Sequence, residues 1–529
     1  MLAGGLVSFL VLPPLIGAAI GGFGSSFAPL ARIDVVASTL IFGVTTTACA
    51  ILVGGALALM LCENVPGKAV LERLVVLPLY LTPLLTAMGW NWLASPRSGL
   101  LNLVLHAGFG GGATINIISP PGAVFVAALA MAPLPFLLIS DALNAIDASL
   151  IEAARVHGAG ARFVLLRVTL PLLLPAALAA SLLLFVQSIG LFSVPAVLGV
   201  PAGFRVATTE IFQLLENYPP RLADAAAWGA FLLVVSMLLT SIQAILLRGG
   251  SFVTVMGKSF RPVRRISRNP NVATFLGFTY VALAAVLPLL ALLWAASCTF
   301  VPASLQLMQF TARHFVFVLT GYPKTWIAAG NSVLLGVLTA SAVCCIGLAA
   351  SWVVTRRKGL ASTVIDQIST IPLSMPAMVF ALGLLWVYVR VPLPIYGTLL
   401  ILLIAYATHY LPVGVRGIGA ALRQLHPELE EAARVGGASW SLVMRRITFP
   451  LIRPTILASW ILLFVLAMQE VSSSILLYSS HSIVLSVAVF DLWENGNPSD
   501  VAALGFIQLG ASFIVVTLML ALRRRRVVA

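Results

Sequence analysis

The chain has 529 residues, 60% of them hydrophobic and only 9% charged, with a mean hydropathy of +1.05. That composition excludes a soluble globular domain and places the chain in a membrane. The formal net charge of +14 would suit a nucleic-acid partner, but no basic face with interleaved aromatic platforms accompanies it, which excludes that class.

Apolar runs of about 18 to 25 residues recur along the whole length, each able to cross about 30 Å of hydrocarbon as a helix, and the period-2 alternation of a barrel is absent. An all-α polytopic membrane protein of about twelve transmembrane helices is expected. The spans are read near 5–25, 34–61, 74–95, 122–142, 171–199, 224–247, 273–297, 326–354, 362–389, 397–417, 450–479 and 500–522. The first lacks a charged leader region and a clean cleavage site, so it reads as a retained helix. After the second span, Pro66-Gly67-Lys68-Ala69 lacks the Ser or Thr and the upstream Gly of a phosphate loop. The glycine cluster Gly108-Phe109-Gly110 that follows the third mimics a dinucleotide fingerprint without a preceding strand. Both read as connectors.

Beyond the fourth span stands EAARVHGAGARFVLLRVTLPLLLP, residues 152–175, and residues 431–454 repeat it as EAARVGGASWSLVMRRITFPLIRP. Glu152, Gly158, Arg167, Pro171 and Pro175 correspond to Glu431, Gly437, Arg446, Pro450 and Pro454 at a constant offset of 279. LLENYPPRLADAAAWG at 214–229 likewise echoes LWENGNPSDVAALG at 492–505, and LPLYLTPLLTAMGW at 77–90 faintly echoes IPLSMPAMVFALGLLW at 371–386. The chain therefore reads as a first half, 1–248, a Gly-, Ser- and Arg-containing cytoplasmic linker, 249–272, and a second half, 273–529. An even number of spans per half makes the halves parallel repeats about an axis normal to the membrane, with a central pathway between them.

Of 31 Lys and Arg residues, seven (Arg32, Arg97, Arg205, Arg221, Arg313, Lys324 and Arg390) fall in one set of loops and 24 in the alternate set, densest at Lys258–Arg268, Arg356–Lys358 and Arg523–Arg526. This bias places both repeated loops and both chain ends in the cytoplasm. Within the second loop, Pro427 can open a short helix, Glu428, Glu430 and Glu431 meet its dipole, and Gly436-Gly437 ends it. Leu429, Ala432 and Ala433, like Leu150, Ala153 and Ala154, share one small apolar face suited to close approach by another protein. Lying on the bilayer surface would require neither the fixed Gly nor acidic groups facing an anionic leaflet.

The pattern E-A-A-x3-G-x9-[IV]-x-[LF]-P, present twice, resembles the EAA loop of permease subunits of type I ATP-binding-cassette importers, and the resemblance covers essentially the whole chain. It implies that each loop docks in a groove of an ATPase subunit. By motif position Glu152, Ala153, Ala154 and Gly158 would dock in one half, and Glu431, Ala432, Ala433 and Gly437 in the other. The same resemblance implies two copies of a separate cytoplasmic ATPase that binds the ATP and Mg, no cofactor in this chain, an extracytoplasmic solute-binding protein, and a bacterial inner-membrane location. SVPAVLG at 193–199, SGLLN at 98–102 and the fusion of both halves are similar to permeases of the ferric-iron transport group. Related permeases move aminoalkylphosphonates, polyamines, thiamine or sulfate, so iron is the preferred cargo within an open set.

Gln469 and Glu470 interrupt the eleventh span, and Gln187 and Ser188 stand in the corresponding region of the fifth. An ionisable group in such a run marks a translocation pathway, or else a carboxylate hydrated near the outer interface. His409 either lines a path or is a buried histidine satisfied by a carbonyl. The five cysteines, Cys49, Cys62, Cys298, Cys344 and Cys345, read as small hydrophobes without ligand spacing, and no cluster resembles a metal site. A six-plus-six secondary transporter would share the repeat but not explain two EAA loops. An intramembrane enzyme would need paired carboxylates or a nucleophile and base that no span carries.

Overall fold

The computed structural model describes residues 4–5, 7–8, 10–13, 16–17, 28–62, 65–109, 114–248, 270–301, 308–357, 359–390, 395–496 and 498–525. Most of the expected first span, the linker up to residue 269 with its basic cluster, Gly110, Lys358 and Arg526 lie outside these residues. Among the described residues there is no β-strand, only one antiparallel bridge between Cys298 and Phe310.

Among the described residues eight helices are long and apolar enough to span a bilayer, and three bent pairs bring the total to eleven. In the first half the principal helices are α1, Ile33–Leu61; α2, Lys68–Val75; α3, Pro83–Ala94; α4, Pro120–Met131; and α5, Pro133–Asn144. After them come α6, Ala148–Val156; α7, Ala161–Ile189; α8, Ala207–Glu216; and α9, Leu222–Arg248. The second half contributes α10, Pro270–Ser297, and α11, Lys324–Arg356; α12, Leu360–Thr370; α13, Ala377–Tyr388; and α14, Leu399–Gln424. The chain closes with α15, Glu428–Val435; α16, Trp440–Gln469; α17, Leu485–Glu494; and α18, Pro498–Arg525.

Three expectations about the spans change. Residues 74–95 and 362–389 do not form straight helices: the chain bends by 96° between Tyr80 and Pro83 and by 107° between Ser374 and Ala377. Pro78 and Pro83 in one copy, and Pro372 and Pro376 in the other, have no N–H to continue the ladder, and the Thr82 hydroxyl restarts the helix by accepting from the Leu85 amide at 3.0 Å. The spans read at 171–199 and 450–479 lie about ten residues earlier in the chain, at Ala161–Ile189 and Trp440–Gln469. Both helices begin upstream of a proline because a π-turn, Leu165–Thr169 in one and Met444–Thr448 in the other, directly precedes the helical stretch holding Pro171 or Pro450. The widened turn absorbs the missing proline donor. Finally, residues 122–142 form two helices, α4 and α5, with a 44° bend before Pro133.

The described residues fall into two compact units. The N-proximal unit holds Pro29–Glu210 and Val234–Phe310; the C-proximal unit holds Met1–Ala28, Ile211–Leu233 and Thr311–Ala529. Each unit cuts across the halves defined by the repeat. In the N-proximal unit α10 crosses over from the second half, its Tyr280 hydroxyl donating to the Leu129 carbonyl at 2.9 Å. There α1 approaches the α4–α5 bend so closely that a Cβ on Gly54 would lie 2.3 Å from the Ala132 oxygen. In the C-proximal unit the Thr408 hydroxyl of α14 donates to the Leu10 carbonyl at 3.0 Å, which ties in the N-terminal segment.

One hydrogen-bonding device recurs in both units. The backbone amide that opens α8, at Ala207, donates to the Thr39 hydroxyl of α1 at 2.8 Å; the amide that opens α17, at Leu485, donates to the Ser332 hydroxyl of α11 at 2.7 Å. The next residue of each short helix then caps the broken end of the preceding long one. The Thr208 hydroxyl donates to the Leu191 carbonyl at 3.0 Å, and the Ser486 hydroxyl to the Glu470 carbonyl at 2.7 Å. Carbonyls released from the helical ladder are thereby satisfied inside an apolar environment.

Candidate functional site

The two EAA stretches fold into α6 and α15, helices of nine and eight residues, each slightly more than two turns. Their starts differ. The Asp147 carboxylate accepts from the Ser149 amide at 3.0 Å to cap α6, whereas α15 opens on Pro427 with Glu428, Glu430 and Glu431 in its first turn. Their ends are the same. Gly158 and Gly437 adopt left-handed backbone at φ 79° and 84°, the region that costs glycine least. The amide of Gly158 donates to Arg155 and that of Ala159 to Ala154; Gly437 and Ala438 do the same to Arg434 and Ala433, all at 2.9 to 3.0 Å.

The side chains named from the sequence stand outward. Glu152, Ala153, Glu431 and Ala432 are exposed, Ala154 and Ala433 half-buried, and both glycines open. Leu150 and Leu429 are 47% and 49% exposed, and Val156 and Val435 reach 85% and 90%. Two helices thus present the same apolar-and-acidic face in the same order. An apolar surface of this kind on a short, rigidly terminated helix has the character of a protein contact.

The inward side differs, and sequence reading missed it. The residue before the EAA glutamate is Ile151 in α6, buried at 4% exposure, but Glu430 in α15, buried at 7%. The Glu430 carboxylate accepts from Arg356 Nε at 3.3 Å and from the Thr448 hydroxyl at 3.0 Å, while Arg356 also donates to the Leu425 carbonyl at 3.1 Å. Glu430 is not merely one of three acids at a helix start. The available clue was its alignment with an isoleucine.

The residues named for a pathway divide between the units. Gln187 is exposed, and Ser188 is buried with its hydroxyl 2.9 Å from the Phe185 carbonyl and 3.2 Å from that of Gly43. Gln469 is half-buried. Glu470 lies at the end of α16 rather than within it, and is buried, not hydrated at an interface. One carboxylate oxygen accepts from the Tyr410 hydroxyl at 2.6 Å; the other accepts from the Ser473 amide at 3.0 Å and hydroxyl at 3.2 Å. His409 packs edge-on against Tyr410 at 4.9 Å, and its Nδ1 has no hydrogen-bond partner among the described residues, so no carbonyl satisfies that nitrogen.

Repeat-equivalent side chains also meet within the C-proximal unit. Phe212 of α8 and Phe490 of α17 contact edge-to-face at 5.7 Å. One turn further along stand Glu216 and Glu494, and partial burial, then Glu216 and Asp491, push the Glu494 carboxyl up to about 7. Among the cysteines, Cys298 and Cys344 are buried, whereas Cys49 and Cys345 are exposed on helix faces. No group of three His, Cys, Asp or Glu residues that could hold a metal occurs among the described residues. Gly67, in the fragment resembling a phosphate loop, makes a left-handed turn into α2.

A family profile described as "Binding-protein-dependent transport system inner membrane component" matches residues 50–249 and 342–527, which include both EAA helices. The chain belongs to this family. The chain is 27% identical over 425 residues to a Haemophilus influenzae protein named as ferric transport system permease FbpB 1, across 78% of this chain and 65% of that one. It is 25% identical over 453 residues to the ferric transport system permease protein FbpB of Actinobacillus pleuropneumoniae, across 83% and 64%. The chain therefore spans just under two thirds of the length of these two relatives. Over a shorter stretch of 218 residues it is 26% identical to a Salmonella typhi protein named as 2-aminoethylphosphonate transport system permease PhnV, across 41% of this chain and 80% of that one. Its apolar helical spans agree with an inner membrane component of that kind.

Proposed function

We propose that this permease is the translocation subunit of an ATP-driven importer that takes up ferric iron handed over by an extracytoplasmic binding protein. Two copies of a separate ABC ATPase, which bind the ATP and Mg, dock on α6 and α15 through Glu152, Ala153, Ala154 and Gly158 and through Glu431, Ala432, Ala433 and Gly437. Both chain termini then lie in the cytoplasm, following the distribution of Lys and Arg. The observation that carries this reading is the repeated outward face, two short helices with the same exposed residues and the same left-handed glycine.

When ATP draws the ATPase subunits together, the docked helices move with them and bias the permease between outward-open and inward-open arrangements. The ends of α7 and α16, with Gln187 and Ser188 and with Gln469 and Glu470, contribute to the pathway wall. Glu470 acts there through its bonds to α14 and the following turn rather than as an open charge.

The ferric reading is supported by two relatives named for ferric transport. The shorter match to a permease named for 2-aminoethylphosphonate supports a second cargo. Uptake of labelled ferric iron into proteoliposomes holding the permease, its ATPase and its binding protein tests both. ATP-dependent uptake that requires the binding protein is expected. ATP-dependent uptake of 2-aminoethylphosphonate but not iron would replace the cargo, and uptake driven by an ion gradient alone would overturn the class.

A further inference from the structure

The two coupling helices are held to the membrane helices by different chemistry, and one anchor lies where a force from outside would have to pass. Glu430 contacts Arg356, the last residue of α11. It also contacts Thr448, the last residue of the π-turn in α16. Arg356 reaches on to the Leu425 carbonyl at the end of α14. The Glu430 carboxylate thus ties α15 directly to α11 and α16, and through Arg356 to the end of α14. The ion pair is almost fully buried, with 11% and 9% of its side chains exposed, so it is screened little by salt and its geometry is demanding. In the first half Ile151 takes the position of Glu430. An apolar contact tolerates sliding; a buried carboxylate oxygen that accepts from an arginine and a hydroxyl together does not.

We propose that Glu430 is a positioning residue that transmits movement of the second coupling helix to α11 and α16, so that the two halves of the permease couple unequally to the ATPase. The proposal rests on the reading that α15 docks on the ATPase. Glu430 faces away from the docking face, so its loss separates coupling from docking.

The test uses the permease reconstituted with its ATPase and binding protein, and compares wild type with Glu430→Gln, Arg356→Lys and the double variant Glu430→Gln with Arg356→Gln. The double variant leaves no unpaired buried charge and serves where the single one fails to accumulate. Two quantities are read: the affinity of the ATPase for the permease, and hydrolysis stimulated by the loaded binding protein. For Glu430→Gln and the double variant, affinity is expected to stay within about twofold of wild type while stimulated hydrolysis falls about tenfold. Arg356→Lys, which keeps the charge, is expected to retain most of the stimulation. Wild-type stimulation in both Gln variants would overturn the proposal, as would a loss of affinity as large as the loss of stimulation. If the ATPase fails to bind wild-type permease at all, the docking reading falls first and this proposal falls with it.

Discussion

From Leu150 to Val156 the exposed residues of α6 recur in α15 from Leu429 to Val435, whereas the inward position between them holds an isoleucine in one helix and a buried, ion-paired glutamate in the other. In most proteins the interior of a repeat is its constant part. Here the constant part is the surface. Repeated residues at exposed positions point to a repeated partner, while each inward residue had only to fit the helices of its own unit. On the proposed docking, the outward residues answer to the partner and the inward ones to local packing.

The largest expected effect would sharpen the likeness of the two helices. Gly158 and Gly437 have open space around the position of a Cβ, so a side chain there is opposed by backbone conformation alone. Valine at either position should cost about 1–2 kcal/mol locally and shift the end of the helix. Stimulated ATP hydrolysis should be lost in both single variants, and asparagine, which tolerates left-handed backbone, should restore much of it. Loss in one variant only would break the equivalence of the two docking ends.

A smaller effect probes where the halves part company. Glu470 corresponds to Leu191 at the repeat offset of 279. Glu470→Leu should therefore place in one unit what the other already carries, yet it should destabilise the permease by about 1–3 kcal/mol, because the Tyr410 hydroxyl and the Ser473 amide lose a buried acceptor. Thermal unfolding in detergent measures this, and an unchanged midpoint would show that the hydrogen-bonded network contributes nothing. Glu470→Gln, which keeps an acceptor, should lose less.

The smallest effect concerns Glu216 and Glu494, equivalent in the repeat. The Glu494 carboxyl is held up to about 7 against an ordinary value of 4.5. The folded chain thus binds this proton more tightly than the unfolded one, so the contribution to stability is present below about 4.5 and is lost as the pH rises to about 7. Glu494→Gln should flatten that part of the stability profile, and Glu216→Gln should shift it to lower pH. A profile unchanged in both variants would mean that the two glutamates do not sense each other.

The sequence by itself determined the membrane environment, the all-helical class, the two-fold repeat and the outward face of the two EAA helices. Each of these follows from local composition or from spacing within one or two turns. Left-handed glycines, small residues at helical intervals and prolines near a helix start carry their consequences with them. Tertiary structure alone decided the bends at Pro83 and after Ser374, the early ends of α7 and α16, and the exchange of segments between units. It also decided the burial of Glu430 and Glu470. A run of apolar residues reads alike whether its carbonyls continue a helix or are capped by Thr208 or Ser486 from a later one, and a glutamate in a row of three reads alike whether it faces water or Arg356. Those outcomes depend on partners about 15 to 75 residues away, which periodicity within a single helix does not encode.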